Sequence, residues 1–139
     1  MSRIAAIDYG TVRIGLAISD ERKIIARPLE LILAKRKQEE SAKLIFDALS
    51  TYEIEAVILG LPLHLDGKES PMSAQVRQFA KILESILNVP VILYDERLTS
   101  VMTERALIEG NVRREKRKQL IDSLSATVLL QTYLDMKHA

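Results

Sequence analysis

Residues 56–60 read AVILG and residues 89–94 read VPVILY, and both runs are apolar almost throughout. A strand covered on one face alternates apolar and polar residues, whereas a parallel strand buried on both faces is apolar continuously. Between the two runs, apolar residues recur at helical spacing after Ser70-Pro71, a pair typical of a helix start. The pattern predicts a β-α-β unit with two parallel strands.

Three more strands are predicted before this unit. The segments 3–9 (RIAAIDY), 13–19 (RIGLAIS) and 24–32 (IIARPLELI) are strand-like, and short turns separate them. Strands joined by such short connections pair with their neighbours in an antiparallel meander.

Helical spacing appears from about residue 36 to 52 and again after Thr99-Ser100, with that second helix ending at Gly110-Asn111. Leu120, Leu124 and Val128 mark a last helix. The predicted fold class is α/β, a five-stranded mixed sheet of three antiparallel strands and then two parallel ones, with helices on both faces. No linker or repeat interrupts the pattern, so residues 1–139 are expected to form a single domain.

Composition excludes several classes of protein. The 139 residues include no Cys, which excludes a disulfide scaffold, a thiolate zinc site and a cysteine nucleophile. No apolar run reaches the roughly 18–20 residues of a membrane span, and the N-terminus lacks the pattern of a signal peptide. We therefore expect a cytoplasmic protein.

Positive charge is concentrated in one segment. Lys and Arg total 20 against 19 Asp and Glu, yet residues 113–118 read RREKRK, with five basic residues and one acidic. A polyanion such as a nucleic acid would bind at this basic segment first. A solvated helix start is the alternative interpretation.

Carboxylates stand where the predicted strands end. Asp8 ends the first strand, and Asp95 and Glu96 follow the last one, at the sheet edge where open α/β sheets bind ligands. Because side chains alternate along a strand, only one of Asp95 and Glu96 can face the same side as Asp8. Asp122 lies in the last helix, four residues before the small Ala126.

Clustered oxygen ligands are what hard divalent cations require, so these acids together predict a Mg²⁺ or Mn²⁺ site. Taken singly, each acid also has a structural interpretation. Asp8 could cap a turn, the two acids after the last strand could be solvated charges paired with Arg97, and Asp122 could stabilise a helix start.

Four motifs in order resemble the YqgF/RuvX family, bacterial proteins described as Holliday-junction resolvases or pre-16S rRNA nucleases. The similarity spans residues 4 to 135. The motifs are DYGTVRIGLA at 8–17, GLP at 60–62 with Asp66-Gly67, DERLTS at 95–100, and DSLSA at 122–126 with LQTYL at 130–134.

The resemblance implies an RNase H-like nuclease domain in which Asp8, Glu96 and Asp122 are the catalytic acids. They would bind Mg²⁺ or Mn²⁺, with two ions bridged by Asp8. It also places Arg13, Gly60 and Pro62 around the site. Better-characterised bacterial junction resolvases carry a fourth acid three residues after the helix acid, and here that position is Ser125.

The expected substrate is structured nucleic acid, above all the 5′ end of pre-16S rRNA. Substrate contacts are expected from the residues around the acids and from the basic segment: Arg13, Gly60, Pro62, Arg97, Arg113, Arg114, Arg117 and Lys118.

Other functions stay open from the sequence. A DNA endonuclease that resolves Holliday junctions and a non-cleaving RNA-binding factor in ribosome maturation or transcription are both compatible with these motifs. The stretch Asp8-Tyr9-Gly10-Thr11 also resembles the first phosphate loop of the actin and sugar-kinase superfamily, although one domain cannot form that two-domain cleft. The oligomeric state is open as well, a homodimer included.

Overall fold

The computed structural model describes residues 2–97 and 114–138, with side chains described for 2–97 and 124–138. The elements in these ranges are β1 (Arg3–Asp8), β2 (Arg13–Ser19), β3 (Ala26–Pro28), β4 (Ile32–Leu33), α1 (Gln38–Leu49), β5 (Ile54–Leu61), α2 (Pro71–Leu87), β6 (Val91–Asp95) and α3 (Arg114–Lys137). None of the described helices combines the length and apolar character needed to cross a membrane.

The strands form one mixed sheet in the order β3-β2-β1-β5-β6, with β4 paired to β2. β1 pairs with β2 antiparallel and with β5 parallel. β5 and β6 are parallel, so the β-α-β unit predicted from the two apolar runs is confirmed.

The predicted third strand, residues 24–32, is divided into β3 and β4, so the described part of the chain has six strands where five were predicted. β3 pairs with the second half of β2, whereas β4 pairs with its beginning. β3 ends at Pro28, which pairs with Ala17, and the Leu29 amide that follows still donates to the Leu16 carbonyl.

The helices begin close to where the sequence predicts. α2 begins after Ser70, whose side chain accepts a hydrogen bond from the Ser73 amide while the Ser73 hydroxyl accepts one from the Ser70 amide. This reciprocal pair satisfies two amide groups that a helix start otherwise leaves without a partner. α1 is shorter than the predicted 36–52, and the predicted helix after Thr99-Ser100 lies outside the described residues.

Helices cover both faces of the sheet. α1 and α2 pack on one face, where Ala5 and Ile7 of β1 are buried. α3 packs on the other face, where Ala126 is fully buried against Ile4 and Ala6. The small alanine lets the helix approach the sheet closely, as expected. Leu124 and Val128 of the predicted row are half-buried.

Candidate active site

Asp8 is placed by the alternation of β1. Ile4 and Ala6 point to the face that α3 covers, and Asp8 continues that row at the carboxyl end of the strand. The two apolar residues are buried and Asp8 is half-buried, so its carboxylate lies at the rim of the apolar layer.

Glu96 comes from β6 and reaches the same place. It follows Asp95, the last residue of β6, and its amide donates to the Leu61 carbonyl at the end of β5. Its carboxylate lies over Gly60 of the neighbouring strand, so close that a Cβ at Gly60 would overlap Glu96 Oε2. Gly60 therefore leaves the space that the Glu96 side chain occupies.

The side chains of Asp8 and Glu96 are hydrogen-bonded to each other. Burial raises the pKa of Glu96 to about 8, and the negative charge of Asp8 and the hydrogen bond between the two groups contribute to this rise. Two carboxylates can share a hydrogen bond only when one of them carries a proton. At neutral pH the pair therefore holds a proton when no cation lies between the acids.

Asp95 is bonded to Arg97 rather than to this pair, although its negative charge also contributes to the raised pKa of Glu96. Its carboxylate accepts hydrogen bonds from the Arg97 amide, at 3.0 Å, and from Arg97 Nε, at 2.8 Å. Paired with arginine, Asp95 has its pKa lowered below the ordinary value. Alternation along the strand predicted that only one of Asp95 and Glu96 would face the side of Asp8, and Glu96 is the residue that bonds to it.

Arg97 was expected to contact substrate, yet its guanidinium is engaged within the protein. It forms an ion pair with Asp95 at 2.6 Å. Nη1 also donates to the carbonyl of Leu65, at 3.1 Å, in the loop that connects β5 to α2. Pairing with Arg97 was one interpretation of the acids from the sequence, whereas the bond to Leu65, 32 residues away in the chain, had no sequence signal.

The remaining predicted residues near the acids lie around the same sheet edge. Arg13 begins β2, and its carbonyl packs against Gly10 in the turn that follows Asp8. Gly60 is the penultimate residue of β5, and the Pro62 carbonyl accepts a hydrogen bond from the Ser70 hydroxyl at 2.7 Å.

Tyr9 has a structural role in this arrangement. Its ring packs on Phe79 of α2 with the centroids 4.4 Å apart. Its hydroxyl oxygen accepts a hydrogen bond from Gln38 Nε2 at 3.3 Å. These contacts fix the turn after Asp8.

Asp122, the third predicted acid, belongs to helix α3, but the structure does not describe its side chain. The same holds for the side chains of Arg114, Arg117 and Lys118. Arg113 is outside the described residues altogether. Ser125, at the position of the fourth acid, is buried. Among the side chains that are described, no three acids or histidines form a group able to hold a metal ion.

The chemistry of the described pair nevertheless fits a divalent cation. Two carboxylates from distant parts of the chain converge at one sheet edge, where their mutual repulsion must be offset by a proton or a cation. Mg²⁺ binds in proteins through one or two carboxylates together with water and substrate phosphates. Asp8 and Glu96 supply such a partial set of ligands.

A family model described as "RuvX: Holliday junction resolvase" matches residues 2–136. Three curated relatives carry the name "Putative pre-16S rRNA nuclease". The relative from Protochlamydia amoebophila is 42% identical, over 98% of this chain and 95% of its own. Those from Halothermothrix orenii and Bacillus subtilis are 41% and 38% identical, over 96% or more of each chain.

Solved structures share the fold. The RuvC protein of T. thermophilus, in complex with a Holliday junction substrate, gives a TM-score of 0.59 at 18% identity, covering 100% of this chain and 97% of that one. The fowlpox virus Holliday junction resolvase gives 0.57 at 18% identity, covering 97% and 99%. At this identity the likeness shows that the chain shares the fold of these resolvases, which is RNase H-like, and shows no more than the fold.

Proposed function

This chain belongs to the RuvX family and is a nuclease, a hydrolase of phosphodiester bonds, and from that premise we propose that it processes the 5′ end of pre-16S rRNA with divalent metal ions. The observation that carries the proposal is the convergence of Asp8 and Glu96 on the sheet face covered by α3. The whole chain acts as one nuclease domain in the cytoplasm.

Asp8, Glu96 and Asp122 would hold one or two Mg²⁺ or Mn²⁺ ions. When bound, such ions supply an activated water and stabilise the charge that develops on the leaving oxygen. Asp122 stands four residues before Ala126, and helical spacing puts residues 122 and 126 on one side of α3. This register supports its place as the third acid.

The protein's own groups prepare the site. Glu96 loses its proton when it becomes a ligand, since only the ionised carboxylate binds a cation strongly. Gly60 gives the Glu96 side chain room, and the turn held by Tyr9 orients Asp8. The basic segment, 113–118, binds substrate phosphates and supplies most of the affinity that does not depend on sequence.

RNA is favoured over branched DNA as the substrate because relatives at about 40% identity carry a pre-16S rRNA nuclease name. The neighbours that act on Holliday junctions are only 18% identical and support the fold alone. Junction resolution is the second candidate, and a homodimer, in solution or on substrate, is part of the same proposal.

The test is cleavage of a pre-16S rRNA 5′ fragment and of a four-way DNA junction, with Mg²⁺, by the wild-type protein and Asp8→Asn. The amide keeps the volume of Asp8 and removes its charge, so we expect cleavage to be lost while RNA binding persists. Asp47→Asn, an exposed acid on α1, is the matched control and should cleave normally.

Full activity of Asp8→Asn would contradict a mechanism in which Asp8 holds a metal ion. Cleavage of the junction but not of the RNA would assign the second candidate, and binding without cleavage of either substrate would indicate a non-cleaving RNA-binding factor.

A further inference from the structure

The loop between β5 and α2, residues 62–70 and called here the 62–70 loop, carries the most exposed large apolar side chain among the described residues. Leu65 at its tip is 88% exposed. Isolated exposed leucines are common on protein surfaces. This one differs because hydrogen bonds hold the backbone that carries it, in a loop that starts at the sheet edge where β1 and β5 end.

Three sets of contacts hold the loop. Within it, the His64 amide donates to the Lys68 carbonyl and the Gly67 amide donates to the His64 carbonyl, at 2.9 and 2.8 Å. At its base, the Ser70 hydroxyl donates to the Pro62 carbonyl. Across to β6, Arg97 Nη1 donates to the Leu65 carbonyl itself.

Gly67 allows this packing. Its φ of +87° lies in the left-handed region that side chains disfavour, and a Cβ there would stand 3.3 Å from Arg97 Nη1. The loop backbone thus turns closely around the guanidinium, which Asp95 holds from the other side. Asp95, Arg97 and the Leu65 carbonyl form a connection that we call the Arg97 clamp.

The charges around the clamp do not favour phosphate. The Arg97 guanidinium is paired with Asp95, and the negative charge of Asp66 also acts on it. Within the loop, Asp66 and Glu69 outnumber Lys68, and Glu69 is paired with Arg77 of α2. With Arg97 already paired and more negative than positive charge in the loop, the exposed leucine is better suited to contact a base than the nucleic-acid backbone.

We propose that the Arg97 clamp is a positioning device that fixes the tip of the 62–70 loop so that the Leu65 side chain packs against a base of the nucleic-acid substrate. Leucine is among the apolar residues that proteins insert against or between bases. The loop begins where β5 ends at Leu61, whose carbonyl accepts a hydrogen bond from the Glu96 amide, so it leaves the sheet edge at which the acid pair lies. The inference rests on the proposed function and names a residue that contacts the substrate.

The first test measures binding of a fluorescent RNA hairpin and cleavage of the same RNA. Leu65→Ser should raise the Kd and KM by roughly ten-fold to a hundred-fold, the scale of one buried leucine, and leave kcat within about two-fold. Leu33→Ser, which alters an exposed leucine on β4, is the matched control and should change neither constant. Equal effects of the two substitutions would overturn the proposal.

A double-mutant cycle tests whether Arg97 acts through Leu65. Arg97→Met should weaken binding in the wild-type background but change it little in the Leu65→Ser background, and Arg97→Lys should restore part of the loss. Additive effects would mean that Arg97 contacts the substrate independently, and would overturn the positioning role.

Amide hydrogen exchange provides a measurement that does not depend on activity. Without substrate, the amides of residues 64–68 should exchange faster in Arg97→Met than in the wild type, whereas those of β1 should not change. Unchanged exchange would show that the Arg97 clamp does not hold the loop. If the wild type binds no RNA hairpin at all, the proposed function fails, whereas normal RNA binding by Leu65→Ser defeats this inference alone.

Discussion

The carboxylate of Glu96 lies against the backbone of Gly60, in space that any other residue at position 60 would fill with a side chain. Gly60 lies in β5 and Glu96 follows the parallel neighbour β6, and Leu129 of α3 is also close, 3.3 Å from the position of a Gly60 Cβ. Glu96 is therefore directed toward Asp8 by the absence of a side chain on the next strand.

Gly60→Ala should consequently reduce cleavage by at least about ten-fold, because the new methyl group forces Glu96 off its present position. Steady-state cleavage of the RNA substrate measures the effect, and circular dichroism checks that the sheet remains folded. Adding Glu96→Asp, which shortens the acid by one methylene, should recover part of the loss. If Gly60→Ala cleaves like the wild type, the close contact has no catalytic consequence.

Stability should depend on pH through Glu96. Its pKa is about 8 in the folded chain, against an ordinary value of 4.5. Between these values the folded chain retains a proton that the unfolded chain has lost, so the free energy of unfolding must fall as pH rises. The expected slope is about 1 kcal/mol for each pH unit, present between about pH 5 and 8 and absent below the ordinary value.

Urea denaturation of the metal-free protein from about pH 4 to pH 9 measures this slope, which follows from the difference in bound protons. Glu96→Gln should flatten it and should be more stable than the wild type at the upper end of this range, because the amide carries no charge to bury. Glu84→Gln, an exposed acid on α2, serves as the control. A wild-type slope that survives in Glu96→Gln would assign the pH dependence to other groups.

The alternation of strand residues explains why part of the site could be predicted from the sequence. A period of two fixed the face of Asp8 and separated Asp95 from Glu96 as soon as the strand ends were located. Alternation alone did not decide which of these two acids would join Asp8, and the choice of Glu96 came from the family resemblance. The packing of Ala126 on the sheet followed from its small size and its place in the helix.

Features that depend on distant contacts could not be predicted in this way. The charge of Arg97 permits pairing with a phosphate or with a carboxylate, and only the folded chain shows that Asp95 and the Leu65 carbonyl are within reach. Likewise, β3 and β4 were predicted as one strand, because the sequence does not show that residues 26–28 and 32–33 pair separately with β2. Asp122 as the third acid stays a prediction.

Metal binding should release a proton. At neutral pH the pair formed by Asp8 and Glu96 holds one proton, and a divalent cation must displace it in order to bind both carboxylates. Mg²⁺ affinity should therefore rise with pH up to about 8, the pKa of Glu96. Removal of the ion with a chelator should abolish cleavage.

Calorimetric titration of Mg²⁺ in two buffers of different ionisation enthalpy counts the released protons. We expect nearly one for the wild type at neutral pH and almost none for Glu96→Gln. An identical count for both proteins would show that the ion binds away from this pair.

The basic segment at 113–118 should control the salt dependence of binding. Each phosphate that Lys or Arg neutralises releases a condensed counterion, so the logarithm of affinity falls linearly with the logarithm of salt concentration. Replacing Arg113, Arg114, Arg117 and Lys118 with Gln should weaken binding for all RNA sequences alike. The slope should decrease by about 0.7–0.9 for each phosphate that the segment no longer neutralises, and four such phosphates set the upper bound.

The control for this variant replaces four exposed basic residues elsewhere, Arg22, Arg27, Lys43 and Lys81, which lowers the net charge equally. Anisotropy titrations of one hairpin at several salt concentrations measure both slopes. Because the two variants carry the same net charge, a smaller slope in the first alone would locate the phosphate contacts in the basic segment, whereas equal slopes would show that only the total charge of the chain matters.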